Sequence, residues 1–168
     1  MHQVGSTIST EIRNDHVWIL HALRQIVRHG SLELAEIRRV TNVIGAHHLA
    51  EEETLYEPLK TLRHTSVGRA QQYHIILDDL THSIELGRRR DRSTRSQILL
   101  LENLLEHHFY IEEQVLLPAF VGNFSAAHQL MFGEEYRHRF SKYANAPVEI
   151  GPTLPSGVSF IGGFRDTE

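Results

Sequence analysis

The chain has 168 residues, enough for one domain with a substantial core, and its 40% hydrophobic and 23% charged residues are ordinary for a globular protein. A net charge of -4 gives no basic footprint for nucleic acid, and the lack of cysteine excludes disulfides, thiolate zinc sites and thiol nucleophiles. Neither a secretory signal nor an apolar run of roughly 18 residues is present, so we expect a cytoplasmic protein without a membrane partner. Histidine is abundant, with 13 copies.

Apolar residues recur with the period of an α-helix along most of the chain. Five helices are predicted in chain order, over about 9–29, 32–62, 67–90, 95–121 and 125–144, the last more polar than the others. Gly30 is expected to end the first helix, and Ser31 can cap the second. The arginines from Arg88 to Arg90 fall where the third helix should end, and their charge complements the helix dipole there.

Four long helices joined by short polar turns are typical of an all-α, up-down-up-down four-helix bundle. The fifth helix is expected to pack outside this bundle. The segment that follows it is rich in proline and glycine, which predicts an irregular tail that carries no chemistry. The predicted organisation is therefore one helical domain over 1–143, with its core at 10–122, and an irregular tail over 144–168.

Two segments, "HHLAEEETLYEP" and "HHFYIEEQVLLP", repeat the same chemistry in the second and fourth helices. When they are aligned on their final prolines, His48 and Glu52 correspond to His108 and Glu112. Within each pair the spacing of four residues puts both side chains on one face of a helix. Imidazoles and carboxylates are costly to bury unless something satisfies them, so the repeat indicates two helix faces that carry metal ligands.

Each of the other two helices offers a histidine among apolar neighbours. Counting residues from the predicted turns places four histidines near one level of the bundle: His16, His48, His74 and His108. Nitrogen and oxygen ligands without sulfur suit iron or manganese better than structural zinc. A ferritin-like site would need Glu-x-x-His on two helices, and the one such match, Glu135 with His138, lies on the outer helix.

With "NDH" and "YHIILDDL" added to the two repeats, the chain resembles the hemerythrin-like, HHE cation-binding domains over about 10–122. The resemblance implies a non-haem centre of two iron ions. It implies His16 and His48 as ligands of one iron, His74 and His108 as ligands of the other, and Glu52 and Glu112 as bridges between them.

One position departs from the oxygen-carrying members, which have a second histidine one turn after that of the third helix, where this chain has Asp78. The set then resembles the four-histidine, two-glutamate variety of iron-sensing and nitrosative-stress members. Asp78 is expected to bind metal or to accept a hydrogen bond from His74. The choice within each histidine doublet stays open, with His47 and His107 as the alternatives, and Tyr56 is a further candidate ligand or proton donor.

The resemblance implies a protein that reacts with small oxygen or nitrogen species. The leading hypothesis is peroxide breakdown or nitric oxide handling in a stress response, with O2, H2O2 or NO as the ligand. The alternatives are a non-catalytic iron or oxygen sensor or store, and reversible oxygen binding, which Asp78 disfavours. Glu51, Glu53 and Glu113 are expected to be ordinary exposed carboxylates, and the chain is expected to be a monomer or a homodimer.

Overall fold

The computed structural model describes residues 5–30, 32–87 and 92–145, and within them every regular element is a helix, which confirms the all-α prediction. The predictions for Ser31, for the arginines from Arg88 to Arg90 and for the tail beyond Asn145 lie outside the described residues. The elements are α1 (Ile8–His29), α2 (Leu34–Glu51), π1 (Glu52–Tyr56), α3 (Glu57–Thr61), α4 (Val67–Leu86), α5 (Arg92–Ile111), π2 (Glu112–Leu116), α6 (Leu117–Asn123) and α7 (Ala126–Ala144).

Helix boundaries match the sequence pattern where a strong end signal exists. Helix α1 begins after Thr7, whose side chain accepts a hydrogen bond from the Thr10 backbone, and Gly30 ends it in the left-handed conformation with φ of 64°. Helix α5 begins at Arg92, three residues before the predicted start. Serine and threonine favour turns in isolation, but packing overrides that preference here, because the Thr94 side chain is buried.

Both repeats contain a π-helical turn directly before their proline. In π1 the backbone N–H of Glu57 donates to the carbonyl of Glu52, and in π2 the N–H of Leu117 donates to that of Glu112. Proline has no N–H to continue the α-helical ladder, and a widened turn lets the helix pass the missing donor without breaking. The helix therefore continues through each repeat, with its later side chains shifted in phase.

The long helices pack in a closed order, with α1 against α2 and α5, and α4 against the same two. Their apolar side chains form two core clusters. One includes Ile19, Leu23, Ile44, Leu77 and Leu105, and the other includes Ile8, Ile12, Leu55, Leu116 and Tyr136. Along these helices, positions between the two clusters carry histidine or glutamate. The fold thus holds one polar layer between two apolar halves.

Helix α7 packs on α1, α2 and π1, outside this arrangement. Its Gly133 lies against the start of α1, and a Cβ atom there would come within 2.1 Å of the Ser6 carbonyl oxygen. One turn on, Tyr136 is completely buried. The close approach allowed by glycine therefore brings an α7 tyrosine into the interior. None of the described helices is both long enough and apolar enough to cross a membrane.

Candidate metal centre

The polar layer between the two apolar clusters consists of five histidines and two glutamates, none more than 2% exposed. We call it the histidine–glutamate layer, and its members are His16, His47, His48, Glu51, His74, His108 and Glu112. Helices α1, α2, α4 and α5 and the first residue of π2 supply them. Seven ionisable side chains in one buried layer are costly unless they are paired or hold a metal ion.

Around Glu51, imidazole nitrogens approach from three helices. His47 Nε2 is 3.3 Å from Glu51 Oε2, and His74 Nε2 is 3.5 Å from the same oxygen. His16 Nε2 is 3.6 Å from Glu51 Oε1. Two atoms that each bind one cation at about 2.1 Å lie about 3.0 to 3.4 Å apart, so these separations are close to those of metal ligands.

Glu112 is also approached by imidazole nitrogens from more than one helix. Its Oε2 atom is 3.3 Å from His16 Nε2 and 3.5 Å from His108 Nε2. Both carboxylates therefore form a group with His16 and His47 and another with His74 and His108, while His48 groups with the latter two histidines. Within each group the ligand atoms lie within 4.8 Å of one another, so the buried side chains can hold a metal ion.

Within the described part of the chain, all of these atoms except His74 Nε2 also have no hydrogen-bond partner. Among buried side-chain atoms of the described residues, those with no hydrogen-bond partner include Nε2 of His16, His47, His48 and His108, both oxygens of Glu51 and Oε2 of Glu112. A buried polar atom without a partner costs about 1–3 kcal/mol. A cation would satisfy these atoms together, so the residues present fit a metal centre.

Four of the five imidazoles form a hydrogen bond through Nδ1, the ring nitrogen that points away from the other members of the layer. The partners, at 2.7–3.1 Å, are Glu113 for His16, Tyr136 for His47, Asp78 for His48 and Glu52 for His74. When Nδ1–H donates to such a partner, the Nε2 lone pair points into the layer, which is the arrangement of metal-binding histidines. His108 Nδ1 has no such partner among the described residues.

The structure brings five of the six predicted ligands into the layer, all except Glu52. The Glu52 side chain is about one-third exposed and accepts a hydrogen bond from His74, while Glu51, expected at the surface, is buried in its place. Alignment on the prolines favours Glu52, but in α2 it is Glu51 that follows His47 by one turn. The two repeats therefore differ by one residue in which glutamate points inward.

The predicted pairing of His16 with His48 also differs from the observed one, since His16 groups with His47. Adjacent residues of a helix point about 100° apart. Helix α2 lies between α1 and α4, so His47 faces His16 of α1 and His48 faces His74 of α4. Both histidines of this doublet are therefore in the layer, and each belongs to a different histidine group.

The remaining candidates take different places. Asp78 is half exposed and bonds to His48, not to His74. His107 is exposed and lies outside the layer, with its ring against Tyr73. Tyr56 is completely buried, and its hydroxyl lies 3.0 Å from His74 Nε2 and donates to Glu112.

Three residues of the site were not predicted from the sequence. Glu113, expected to be an ordinary exposed carboxylate, is only 30% exposed and accepts the hydrogen bond from His16. Glu51 carries a signal that could have identified it, because it stands four residues after His47, as Glu112 does after His108. Tyr136 carries none, since its contact with His47 spans 89 residues. Only the packing of α7 brings that tyrosine to the layer.

The pKa values of the two buried carboxyl groups are shifted in opposite directions. Burial, together with the charge of Glu112, raises the pKa of Glu51 well above its usual range. Burial also acts to raise the pKa of Glu112, but the charge of His108, the nearby His16 ring and the hydrogen bond from Tyr56 outweigh burial and lower the pKa to about 2. Two like charges this close do not both form readily, so one carboxyl group is held toward its neutral form in the absence of metal.

The pKa values of the imidazoles are also shifted in both directions. Burial lowers the pKa of His108 to about 4, and burial reinforced by neighbouring histidines lowers those of His47 and His74 well below the usual value. For His16, burial acts to lower the pKa, but the carboxylate of Glu112 close to its Nε2 atom and the hydrogen bond to Glu113 outweigh this and raise the pKa. Burial thus favours the neutral form of His47, His74 and His108, which is the form of imidazole that binds metal.

A scan of protein-family models found no match to this chain, and searches of curated proteins and of solved structures likewise found none.

Proposed function

We propose that the histidine–glutamate layer binds two iron ions and that the chain is a hemerythrin-like di-iron protein. The observation that carries the proposal is the position of the two carboxylates. Glu51 and Glu112 each lie within 3.6 Å of imidazole nitrogens from both histidine groups, as ligands shared by two cations would. His16 and His47 would hold one ion, and His48, His74 and His108 the other.

The proposed architecture is the up-down-up-down four-helix bundle, formed by α1, α2, α4 and α5. Its support is the closed packing order, in which each of the four helices contacts two of the others. The placement of ligands on all four helices at one level agrees with the way such bundles build metal sites in their core.

Iron is favoured by the chemistry of the donor set. Imidazole nitrogen and carboxylate oxygen are present, and the chain has no cysteine to supply sulfur. Such ligands suit iron or manganese, whereas structural zinc sites are usually four-coordinate and often contain thiolate. The number of available donors exceeds what a single four-coordinate ion would use.

The proposed activity is reaction with small oxygen or nitrogen species, by peroxide breakdown or nitric oxide handling. When bound, an iron pair supplies Lewis acidity and redox chemistry to such a molecule. The chain's residues would hold the ions and orient the ligands. Glu51 and Glu112 lie between the two histidine groups, and the Nδ1 partners fix the orientation of the imidazole rings. Tyr56 places a hydroxyl proton at the edge of the layer, next to His74 and Glu112.

Access for a small molecule is favoured on the α1–α5 side. A surface depression of about 240 Å³ lies there, and His16, Phe109 and Glu113 are among its lining residues. Since His16 belongs to the layer, the floor of this depression is one side chain from the proposed ions.

Reversible oxygen binding is a second candidate function, favoured by His48. In the sequence, Asp78 at the position of a third-helix histidine disfavours oxygen binding. However, Asp78 bonds to His48, and His48 adds a third imidazole to the group of His74 and His108. The layer therefore holds five imidazoles and two carboxylates. A non-catalytic iron or oxygen sensor or store uses the same ligands.

The test is to load the purified protein with iron, measure iron per chain, and record optical spectra on adding oxygen, peroxide and nitric oxide. We expect about two iron ions per chain and their loss in His108→Ala. Oxygen evolution from peroxide supports the enzyme, and a stable, reversible oxygen spectrum supports the carrier. An iron content at or below one per chain that His108→Ala leaves unchanged would contradict the di-iron proposal.

A further inference from the structure

Helix α7 is connected to the histidine–glutamate layer through one hydroxyl group. The Tyr136 hydroxyl donates to Asp15 Oδ2 at 2.7 Å, and its oxygen lies 2.7 Å from Nδ1 of His47. A tyrosine hydroxyl has a single proton. Because that proton is used on Asp15, the oxygen accepts the hydrogen bond from His47 Nδ1–H. The Nε2 lone pair of His47 is then directed toward Glu51.

The next residue of α7 holds the other end of this chain of hydrogen bonds. Arg137 lies 3.3 Å from Asp15 Oδ1 and also pairs with Glu11, so two consecutive residues of α7 bind α1 and α2. Gly133 sets the position of α7 along α1, because the backbones of the two helices are in close contact at this residue. The position of His47 and the docking of α7 are thus parts of one contact.

The other imidazoles do not depend on α7 in this way. The Nδ1 partners of His16, His48 and His74 are carboxylates at least 30% exposed, and they lie on π1, α4 and π2. His47 alone among the layer's described residues is fixed by a buried group from α7.

We propose that Tyr136 is a positioning residue for His47, and that α7 docking and metal binding on the His16–His47 side strengthen each other. The inference rests on the proposed metal function. Coupling of this kind is reciprocal: a docked α7 raises the affinity for the ion, and the bound ion holds α7 in place by the same factor. Release of metal would then loosen α7 from α1 and α2, which gives the protein a readable signal of its metal content.

The first test is a titration of metal-free protein with iron(II) under anaerobic conditions, comparing wild type with Tyr136→Phe. The matched control is Tyr143→Phe, which removes an α7 hydroxyl bonded to Glu53 outside the layer. We expect Tyr136→Phe to weaken one of the two binding events about ten- to hundredfold, as loss of a partner behind a metal-binding histidine does elsewhere. Tyr143→Phe should bind as wild type does.

The second test needs no variant, so it decides the matter even if Tyr136→Phe fails to fold. Hydrogen exchange of the α7 amides is measured in wild type with and without iron, and we expect iron to slow it. If wild type binds no iron, the proposed function itself fails. If wild type binds two ions while α7 exchange is unchanged by iron, or if Tyr136→Phe binds both ions normally, the coupling is overturned and the metal centre stands.

Discussion

At the scale of single residues, neighbouring glutamates of the two repeats have opposite environments. Glu51 and Glu112 are completely buried between histidines, whereas Glu52 and Glu113 are partly exposed and accept hydrogen bonds from His74 and His16. One step along a helix turns a side chain by about 100°, enough to move it from the interior to the rim. Each repeat therefore supplies one inner carboxylate and one outer carboxylate.

This division predicts unequal effects for two adjacent substitutions. Glu51→Gln removes a charged oxygen shared by both sides of the layer, so we expect most of the bound metal to be lost on dialysis. Glu52→Gln weakens only the orientation of His74, and we expect a loss of about ten- to hundredfold in affinity. Metal content and a binding titration of the two variants decide this, and a larger loss in Glu52→Gln would contradict the assignment.

Metal binding should also release protons. In the metal-free layer, burial favours the neutral, protonated form of Glu51, and carboxylate neighbours keep His16 protonated by raising its pKa. A metal ion displaces both protons, so its affinity should fall as pH is lowered. Calorimetric titrations in buffers of different ionisation enthalpy measure the release.

Glu113→Gln is the matching variant, because Glu113 raises the pKa of His16 through a hydrogen bond at the partly exposed rim. We expect this variant to release fewer protons at the same pH. An unchanged proton count would show that His16 is not a source.

The sequence predicts the inward orientation of isolated histidines well and that of residues within polar runs poorly. His16 and His74 stand alone among apolar residues, so their inward orientation follows from helical periodicity. Within "HHLAEEE" several neighbours have the same chemistry and differ only in helical phase, which depends on helix boundaries that sequence patterns do not define closely. For this reason Glu51 was expected at the surface, and the choice between His47 and His48 stayed open.

At the scale of elements, the proline of each repeat is associated with a π turn. Pro58 and Pro118 each follow a π turn, and the widened turn begins at Glu52 and Glu112. π turns are rare and often occur at functional sites. The helical pattern was sufficient to predict the long helices, while the docking of α7 depends on contacts between segments far apart in the chain.

The contact of α7 with α1 is tested by Gly133→Ala. A Cβ atom there would lie 2.1 Å from the Ser6 carbonyl oxygen and 2.9 Å from the Ile8 nitrogen, so the helices must separate. We expect a loss of about 1–3 kcal/mol in the free energy of unfolding, measured by denaturant titration.

Gly45→Ala is the control, since it lies in α2 with no atom within 4 Å of the added Cβ. This substitution should stabilise by roughly 0.5–1 kcal/mol through helix propensity. Equal changes in the two variants would indicate that α7 is not closely docked.

At the scale of the whole molecule, the polar layer divides the core into two apolar clusters. Buried nitrogens and oxygens without partners lower the stability of the metal-free protein, and a ligand that binds only the folded state stabilises it by about 2.7 kcal/mol at one hundred times its dissociation constant.

We therefore expect removal of metal to lower the melting temperature by about 5–10 °C for a chain of this size. Calorimetry of the chelated, washed and then reloaded protein measures this change. Reloading should restore the original temperature, and an identical melting temperature in all three samples would indicate that the layer holds no ion.

The three rim carboxylates have a further consequence. Glu52, Asp78 and Glu113 keep 37%, 54% and 30% of their side-chain area in contact with water, while the imidazoles they hold are almost wholly enclosed. One hydrogen bond thus separates each of three sealed nitrogens from the bulk solvent. The layer is buried, but dissolved ions can still act on the rim charges within a Debye length of about 8 Å. We therefore expect the salt concentration around the protein to change how strongly the enclosed imidazoles bind a metal ion.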